Sequence, residues 1–236
     1  MGTIINALAI VIATILGIVF KKGLSESKQQ AMMFVLGLGL LALSLGWFMK
    51  DFLVIDNNVL STQHDLLVIV ALVLGTTIGH TIDIDGIVSR FAYRIETKYA
   101  LPPLAKGFIA GTLIFCVGAM AILGSLQEGL TGDYTILVLK SALDFVTAMV
   151  LASVLGLGVA FAAISVLVYQ GSITLLANVA AQFLTDPMIV SMSLIGNILL
   201  MAIALNFMRL TQVKVANMLP SLLIPIIYFL ILALLQ

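Results

Sequence analysis

Residues 135–181 read TILVLKSALDFVTAMVLASVLGLGVAFAAISVLVYQGSITLLANVAA, an apolar stretch whose only charged side chains are Lys140 and Asp144. As one helix it would be about 70 Å long, because each residue adds about 1.5 Å, whereas the hydrocarbon core of a bilayer is about 30 Å thick. The stretch therefore predicts two membrane spans, with the division near Gly156 and Gly158.

The composition of the whole chain agrees with this interpretation. Of its 236 residues 62% are hydrophobic and 9% are charged, with a mean hydropathy of +1.23, whereas ordinary soluble domains carry roughly 25% charged residues. Long apolar runs without a period of two satisfy their backbone groups in lipid as helices rather than as barrel strands. We therefore expect an all-α bundle that forms a single integral membrane domain over residues 1–236.

The remaining apolar runs raise the predicted number of spans to eight. They cover residues 3–20, 31–49, 66–82, 108–126, 189–208 and 215–235. Glycines in the second and third spans are expected to let neighbouring backbones approach closely: Gly37, Gly39, Gly46, Gly75 and Gly79.

The basic residues predict the orientation, because cytoplasmic loops carry an excess of Lys and Arg. Nine of the eleven fall in the loops after spans one, three and seven, which lie on one side of the membrane: Lys21, Lys22, Lys28, Arg90, Arg94, Lys98, Lys106, Arg209 and Lys214. Both termini are therefore predicted to lie outside. Residues 86–98 place Ile87, Phe91 and Ile95 near one helical face, which predicts a short amphipathic helix on the inner surface.

A weak signal of an internal repeat also occurs in the sequence. Aligning residues 24–49 with residues 184–209 pairs Leu24 with Leu184, Met32 with Met192 and several further similar residues. Spans two and seven would then be equivalent and run in opposite directions, as an inverted duplication produces. Apolar helices also give such matches by chance.

Polar chemistry is concentrated in residues 115–144, FCVGAMAILGSLQEGLTGDYTILVLKSALD. Four glycines (Gly118, Gly124, Gly129 and Gly132) permit turns or close approach, so the end of span four could re-enter the protein and leave backbone groups free to bind a solute. Five polar residues would then ring an outward-facing vestibule: Ser125, Gln127, Glu128, Thr131 and Asp133. The alternative is an exposed hairpin with solvated side chains.

Charged and amide side chains inside the spans extend this candidate site. Lys140 and Asp144 lie one helical turn apart, so they can pair and can exchange the partner for a bound ion or proton; the alternative is a permanent ion pair with Lys140 reaching outward. Asn217 precedes Pro220, which frees carbonyl groups in span eight and suggests a second wall of the site. The other amides, including Asn6 and Gln170, are expected to join helices by hydrogen bonds.

Nothing in the sequence indicates an enzyme, a cofactor or a metal site. The motifs HExxH, GxSxG, GxGxxG and the Walker loop do not occur; hydrolysis by Ser141 with Lys140 remains an open alternative. His80 with Asp83 and Asp85 is better explained as an acidic helix end than as a metal site. Zero net charge and the lack of a basic, aromatic patch suggest no nucleic-acid partner. Cys116, the only cysteine, is expected to pack as an inert thiol.

Three segments resemble a known family: GTIINALAI at residues 2–10, FCVGAMAILGSLQEGLTGD with the following KSALD, and VANMLPSLL at residues 215–223. They are similar to the YdfK/YqgA-like family of bacterial multi-pass membrane proteins, a domain of unknown function (DUF554). The resemblance implies a bacterial inner-membrane protein of about this length and a suspected transporter, with no substrate to carry over.

These patterns together predict a secondary active transporter of a small polar solute or ion. Alternating access would operate around Glu128, Asp133, Lys140 and Asp144. The alternatives are an ion channel and a structural or regulatory membrane protein without transport. Because the chain is short and its spans are rich in glycine, we expect a homodimer or larger homo-oligomer.

Overall fold

The computed structural model describes residues 1–21, 25–56, 59–116 and 119–235, and these are almost entirely helical. The α-helices are α1 (Gly2–Lys21), α2 (Glu26–Phe52), α3 (Asp65–Ile82), α4 (Ile84–Tyr99), α5 (Ala105–Cys116), α6 (Ala119–Thr131), α7 (Thr135–Leu155), α8 (Gly158–Leu175), α9 (Ala177–Phe183), α10 (Asp186–Phe207) and α11 (Ile224–Leu235). A 3₁₀ helix, Val215–Leu223, precedes α11. Strands β1 (Leu53–Asp56) and β2 (Val59–Thr62) form an antiparallel hairpin with Leu53 opposite Thr62.

The helices confirm the all-α membrane fold. Among the described residues seven helical segments are long and apolar enough to cross a bilayer, and α5 with α6 makes an eighth if this bent pair is one span. The predicted division of residues 135–181 is also confirmed, because α7 ends at Leu155 and Gly156 has a φ of +74°. Glycine adopts this φ without the steric cost that other residues meet.

The chain divides into two compact units. Unit 1 contains Met1–Leu36 and Ile87–Gln182, and unit 2 contains Gly37–Gly86 and Phe183–Gln236.

In unit 1, α1 and α7 pack side by side and run in the same direction. Gly2 lies against Leu137 near the start of α7, and Gly17 lies against Met149 near its end. Asn6, near the start of α1, contacts Gln170, near the end of α8, so α8 runs antiparallel to both. Three helices therefore share one interface inside this unit.

The pair α5 and α6 is bent by 61° between its two helices. Gly107 in α5 lies against Gly158 at the start of α8, whereas Gly129 in α6 lies against Thr174 near its end. Because the two ends of the pair contact opposite ends of α8, a single broken span is favoured over a re-entrant loop, whose ends would meet on one side. Gly118, one of the glycines expected to permit a turn, lies outside the described residues.

The backbone groups of the segment predicted to re-enter the protein are not left free to bind a solute. Helix α6 continues to Thr131, so the backbone groups of residues 127–131 are hydrogen-bonded within a helix. The chain then turns at Gly132, which has a φ of +77°, and α7 begins at Thr135. No proline interrupts residues 119–131, and glycine alone does not stop a helix that packs against a neighbour.

In unit 2, α3 packs closely against the 3₁₀ helix. The backbone of Ser221 lies against Gly75, and the carbonyl group of Asn217 lies so close to Gly79 that a Cβ atom there would clash. The close packing predicted for the third span is thus confirmed, as is the interruption of the eighth span, since Pro220 lies inside the 3₁₀ helix. A proline cannot donate the hydrogen bond that a continuous α-helix requires.

The glycines of α2 follow the packing prediction only in part. Gly37 lies against the carbonyl oxygen of Ala204 in α10, but no described atom lies within 4 Å of the Cβ position of Gly39 or Gly46. These two residues lie on the exposed face of α2, so within the chain they bring no neighbouring helix closer.

Cysteine labelling tests whether α5 and α6 cross the membrane together. In a Cys116→Ser background, Tyr134→Cys is expected to react with a membrane-impermeant maleimide in intact cells, because Tyr134 is 43% exposed at the turn after α6. Lys98→Cys, on exposed α4, is expected to react only after permeabilisation. Equal labelling of the two variants in intact cells would contradict the broken span and indicate a re-entrant pair.

Candidate functional site

The charged pair of α7 lies on its buried face. Leu137, Lys140, Asp144, Ala148 and Leu151 recur at helical spacing and are all buried, because this face packs against α1. Lys140 and Asp144 are 5% and 6% exposed. The ammonium group of Lys140 donates a hydrogen bond to Oδ2 of Asp144, which confirms the predicted pairing and directs the lysine towards the middle of the helix.

Two amides complete a cluster that we call the polar core, formed by Asn6, Lys140, Asp144 and Gln170. Nδ2 of Asn6 donates to Oδ2 of Asp144 over 2.9 Å and also lies 3.5 Å from Oε1 of Gln170. Asn6 and Gln170 are completely buried, and their contacts confirm that these amides join helices. The polar core thus connects α1, α7 and α8.

Two polar atoms of this core have no hydrogen-bond partner among the described residues: Oδ1 of Asn6 and Nε2 of Gln170. A buried polar atom without a partner costs about 1–3 kcal/mol. In an otherwise well-packed interface such atoms are therefore candidates for contacts with a bound solute.

Helix α5, which ends at Cys116, packs against both α7 and α8. The bent pair of α5 and α6 therefore contacts two of the helices that carry the polar core. Discontinuous helices line the binding sites of many transporters.

Glu128 binds the start of α1 instead of joining the polar core. Its carboxylate accepts hydrogen bonds from the backbone N–H of Gly2 over 2.8 Å and of Thr3 over 3.4 Å, and from the hydroxyl group of Thr3 over 3.2 Å. The amino group of Met1 also pairs with it. The first N–H groups of a helix lack partners within the helix, so Glu128 caps α1 from the neighbouring α6.

Three further predicted residues stabilise the turn between α6 and α7. Oδ1 of Asp133 accepts hydrogen bonds from the hydroxyl and the backbone N–H of Thr135, at 2.6 and 2.9 Å, and these hold the pKa of Asp133 below its ordinary value. Gln127 donates to the other carboxylate oxygen over 2.6 Å, and the hydroxyl group of Thr131 donates to the carbonyl oxygen of Gln127. These contacts are those of a helix-capping turn.

The last two predicted residues lie in local contacts elsewhere. Ser125 is completely buried and donates to the carbonyl oxygen of Ala121 in its own helix. Asn217, in unit 2, accepts a hydrogen bond from the backbone N–H of Asp85 over 2.8 Å and so caps the start of α4. The described hydrogen bonds thus join the predicted residues in separate groups rather than in one ring.

Sequence reasoning identified the charges of the polar core but not the two amides as their partners. Asn6 and Gln170 were interpreted only as packing residues. The signal available was that both are amides inside apolar spans, where a polar group requires a partner.

Comparisons with known proteins agree with the resemblance seen in the sequence. The family described as "Protein of unknown function (DUF554)" matches residues 1–230. The chain is 34% identical over 224 residues to "Uncharacterized membrane protein YdfK" of Bacillus subtilis (strain 168), covering 95% of this chain and 93% of that protein. It is 29% identical over 230 residues to "Uncharacterized protein YqgA" of Escherichia coli (strain K12), covering 94% and 93%. No solved structure matches.

Proposed function

The chain belongs to the DUF554 family of multi-pass membrane proteins, and from that premise we propose that it transports a small polar solute or ion by alternating access. The proposal includes no catalytic step. The polar core is the proposed binding site.

The observation that carries the proposal is a buried charge pair near the middle of a membrane-spanning helix. Lys140 and Asp144 are the sixth and tenth residues of the 21-residue α7. A buried ion pair adds little stability, because apolar residues of similar volume often replace such pairs with no loss. Intramembrane charges generally belong to a transport or proton pathway, and the bent pair of α5 and α6, which packs against α7, supplies the interrupted helix that such pathways use.

Lys140 and Asp144 are buried from solvent. This is expected of the binding site of an alternating-access transporter in its occluded state. Its opening would require Lys140 and Asp144 to exchange their mutual hydrogen bond for contacts with the solute. The bent pair of α5 and α6 is the proposed moving part, because two helices bent by 61° can pivot at their junction more readily than a continuous span can.

A structural role is the second candidate, and the burial of the pair favours it. Two opposite charges that satisfy each other in dry packing could fix the rotation of α7 against α1 and do nothing more. This protein would then insert and fold without moving any solute.

We also propose a homodimer or larger homo-oligomer. Its support is the exposed face of α2, where Gly39 and Gly46 have no neighbour among the described residues although such glycines commonly lie between packed helices. The mass of the particle in nanodiscs would exceed that of one 25.1 kDa chain.

Reconstitution in proteoliposomes tests the proposal. We expect saturable, gradient-driven uptake of a small polar solute or ion. Uptake is expected to be unchanged in Thr147→Val, because the hydroxyl group of Thr147 donates to the carbonyl oxygen of Leu143 in its own helix. Single-channel conductance in planar bilayers would indicate a channel instead. The absence of any flux from folded, correctly oriented protein would leave the structural role.

A further inference from the structure

We infer that the polar core binds a small zwitterion of the amino-acid type, with one ammonium and one carboxylate group. The inference rests on the proposed function and specifies its substrate class. Three features of unit 1 carry it: the net charge of the core, its two unpaired polar atoms and the small apolar residues beside it.

The charges of the polar core disfavour a solute that carries a net positive or a net negative charge. Lys140 and Asp144 sum to zero, and both are buried. A cation bound to Asp144 would displace the ammonium group of Lys140 and leave one positive charge in excess, and an anion bound to Lys140 would leave one negative charge in excess. Uncompensated charge in a low-dielectric interior is costly, whereas a zwitterion gives each residue a new partner and keeps the total at zero.

The unpaired atoms supply one acceptor and one donor. The amide of Asn6 is held in its orientation because its Nδ2 donates to the carboxylate of Asp144; the reverse orientation would bring two oxygens together. Gln170 is held likewise, because its Oε1 faces Nδ2 of Asn6. Oδ1 of Asn6 and Nε2 of Gln170 therefore remain without a partner among the described residues.

These two atoms match the hydrogen-bonding needs of a zwitterion. The ammonium group of the solute can donate hydrogen bonds to the carboxylate of Asp144 and to Oδ1 of Asn6. Its carboxylate can accept hydrogen bonds from the ammonium group of Lys140 and from Nε2 of Gln170. Neither a lone cation nor a lone anion would use both the acceptor and the donor. The geometry points to a solute that carries both groups.

The neighbouring residues indicate a small solute. One turn from the charged and amide residues, on the same helix faces, lie Ala148 on α7 and Val166 on α8, both completely buried. A long side chain on the solute would have to displace the packing between these helices, at a cost typical of overpacked cores. Glycine and alanine are therefore the appropriate probes.

Competition in proteoliposomes tests the inference with the full-length protein. Radiolabelled glycine and L-alanine are expected to enter saturably, and unlabelled glycine is expected to compete, whereas methylammonium and acetate at the same concentration are not. Asn6→Leu and Gln170→Leu are each expected to weaken apparent glycine affinity by about tenfold, because each removes one hydrogen bond to a charged group. Thr147→Val is the matched control in α7.

The outcomes separate this inference from the proposed function. Uptake of methylammonium, acetate or protons that glycine and alanine do not inhibit would overturn the zwitterion site and leave transport intact. The absence of flux for every probe, from protein that is folded and inserted, would overturn both. Competition by glycine against labelled alanine in the unsubstituted protein needs no variant, so a variant that fails to fold does not remove the test.

Discussion

Asp144→Asn is expected to abolish transport, lowering uptake at least about 100-fold, while the protein still inserts into the membrane. Asparagine keeps the size of the side chain but removes the negative charge, so the ammonium group of Lys140 remains buried without a counter-ion and the site loses its cation partner. Removing one member of a buried pair typically costs about 3–5 kcal/mol. Uptake in proteoliposomes and thermal unfolding in detergent measure the two effects.

A double variant separates transport from stability. In Lys140→Met with Asp144→Asn both charges are absent, so the unfolding temperature is expected to recover towards that of the unsubstituted protein, because no buried charge is left unpaired. Transport is expected to remain absent. If activity returned together with stability, the pair would serve only packing and the transport site would lie elsewhere.

The membrane spans could be predicted because hydrocarbon imposes a length and an apolar composition that are visible in the sequence. The interruption at Pro220 could be predicted because proline lacks the N–H group that a continuous α-helix requires. The hairpin formed by β1 and β2 was missed, since neither strand, LVID or VLST, alternates apolar and polar residues. The bend between α5 and α6 falls in the segment whose glycines predicted a turn, but its angle of 61° follows from no local pattern.

In the candidate site, too, contacts within one helix could be predicted from the sequence, whereas contacts between helices could not. Lys140 and Asp144 are four residues apart, so helical geometry alone predicted their contact. Asn6 is separated from Asp144 by 138 positions and from Gln170 by 164, and such contacts depend on which helices become neighbours. The inverted repeat and the location of both termini outside the membrane stay predictions.

The second large effect is a loss of stability when Glu128 is substituted. Glu128 is also the residue whose interpretation changed most between sequence and structure. The sequence assigned it to a solute vestibule, whereas in the structure it caps α1 through the N–H groups of Gly2 and Thr3. Glu128→Ala is therefore expected to destabilise the protein by about 1–2 kcal/mol, in the range of a lost N-terminal cap. The midpoint of denaturant-induced unfolding measures this loss.

The conservative variant decides between the two roles of Glu128. Glu128→Gln keeps one oxygen that can accept from the N–H of Gly2, and its new amide nitrogen can donate to the hydroxyl group of Thr3, so part of the stability and the full rate of uptake should be retained. Gln127→Ala, the neighbouring substitution, serves as a control because Gln127 bonds within the α6 and α7 turn and not to α1. If Glu128→Gln folded normally but lost uptake, the charge itself would be required, and the solute pathway would extend from the polar core to the start of α1.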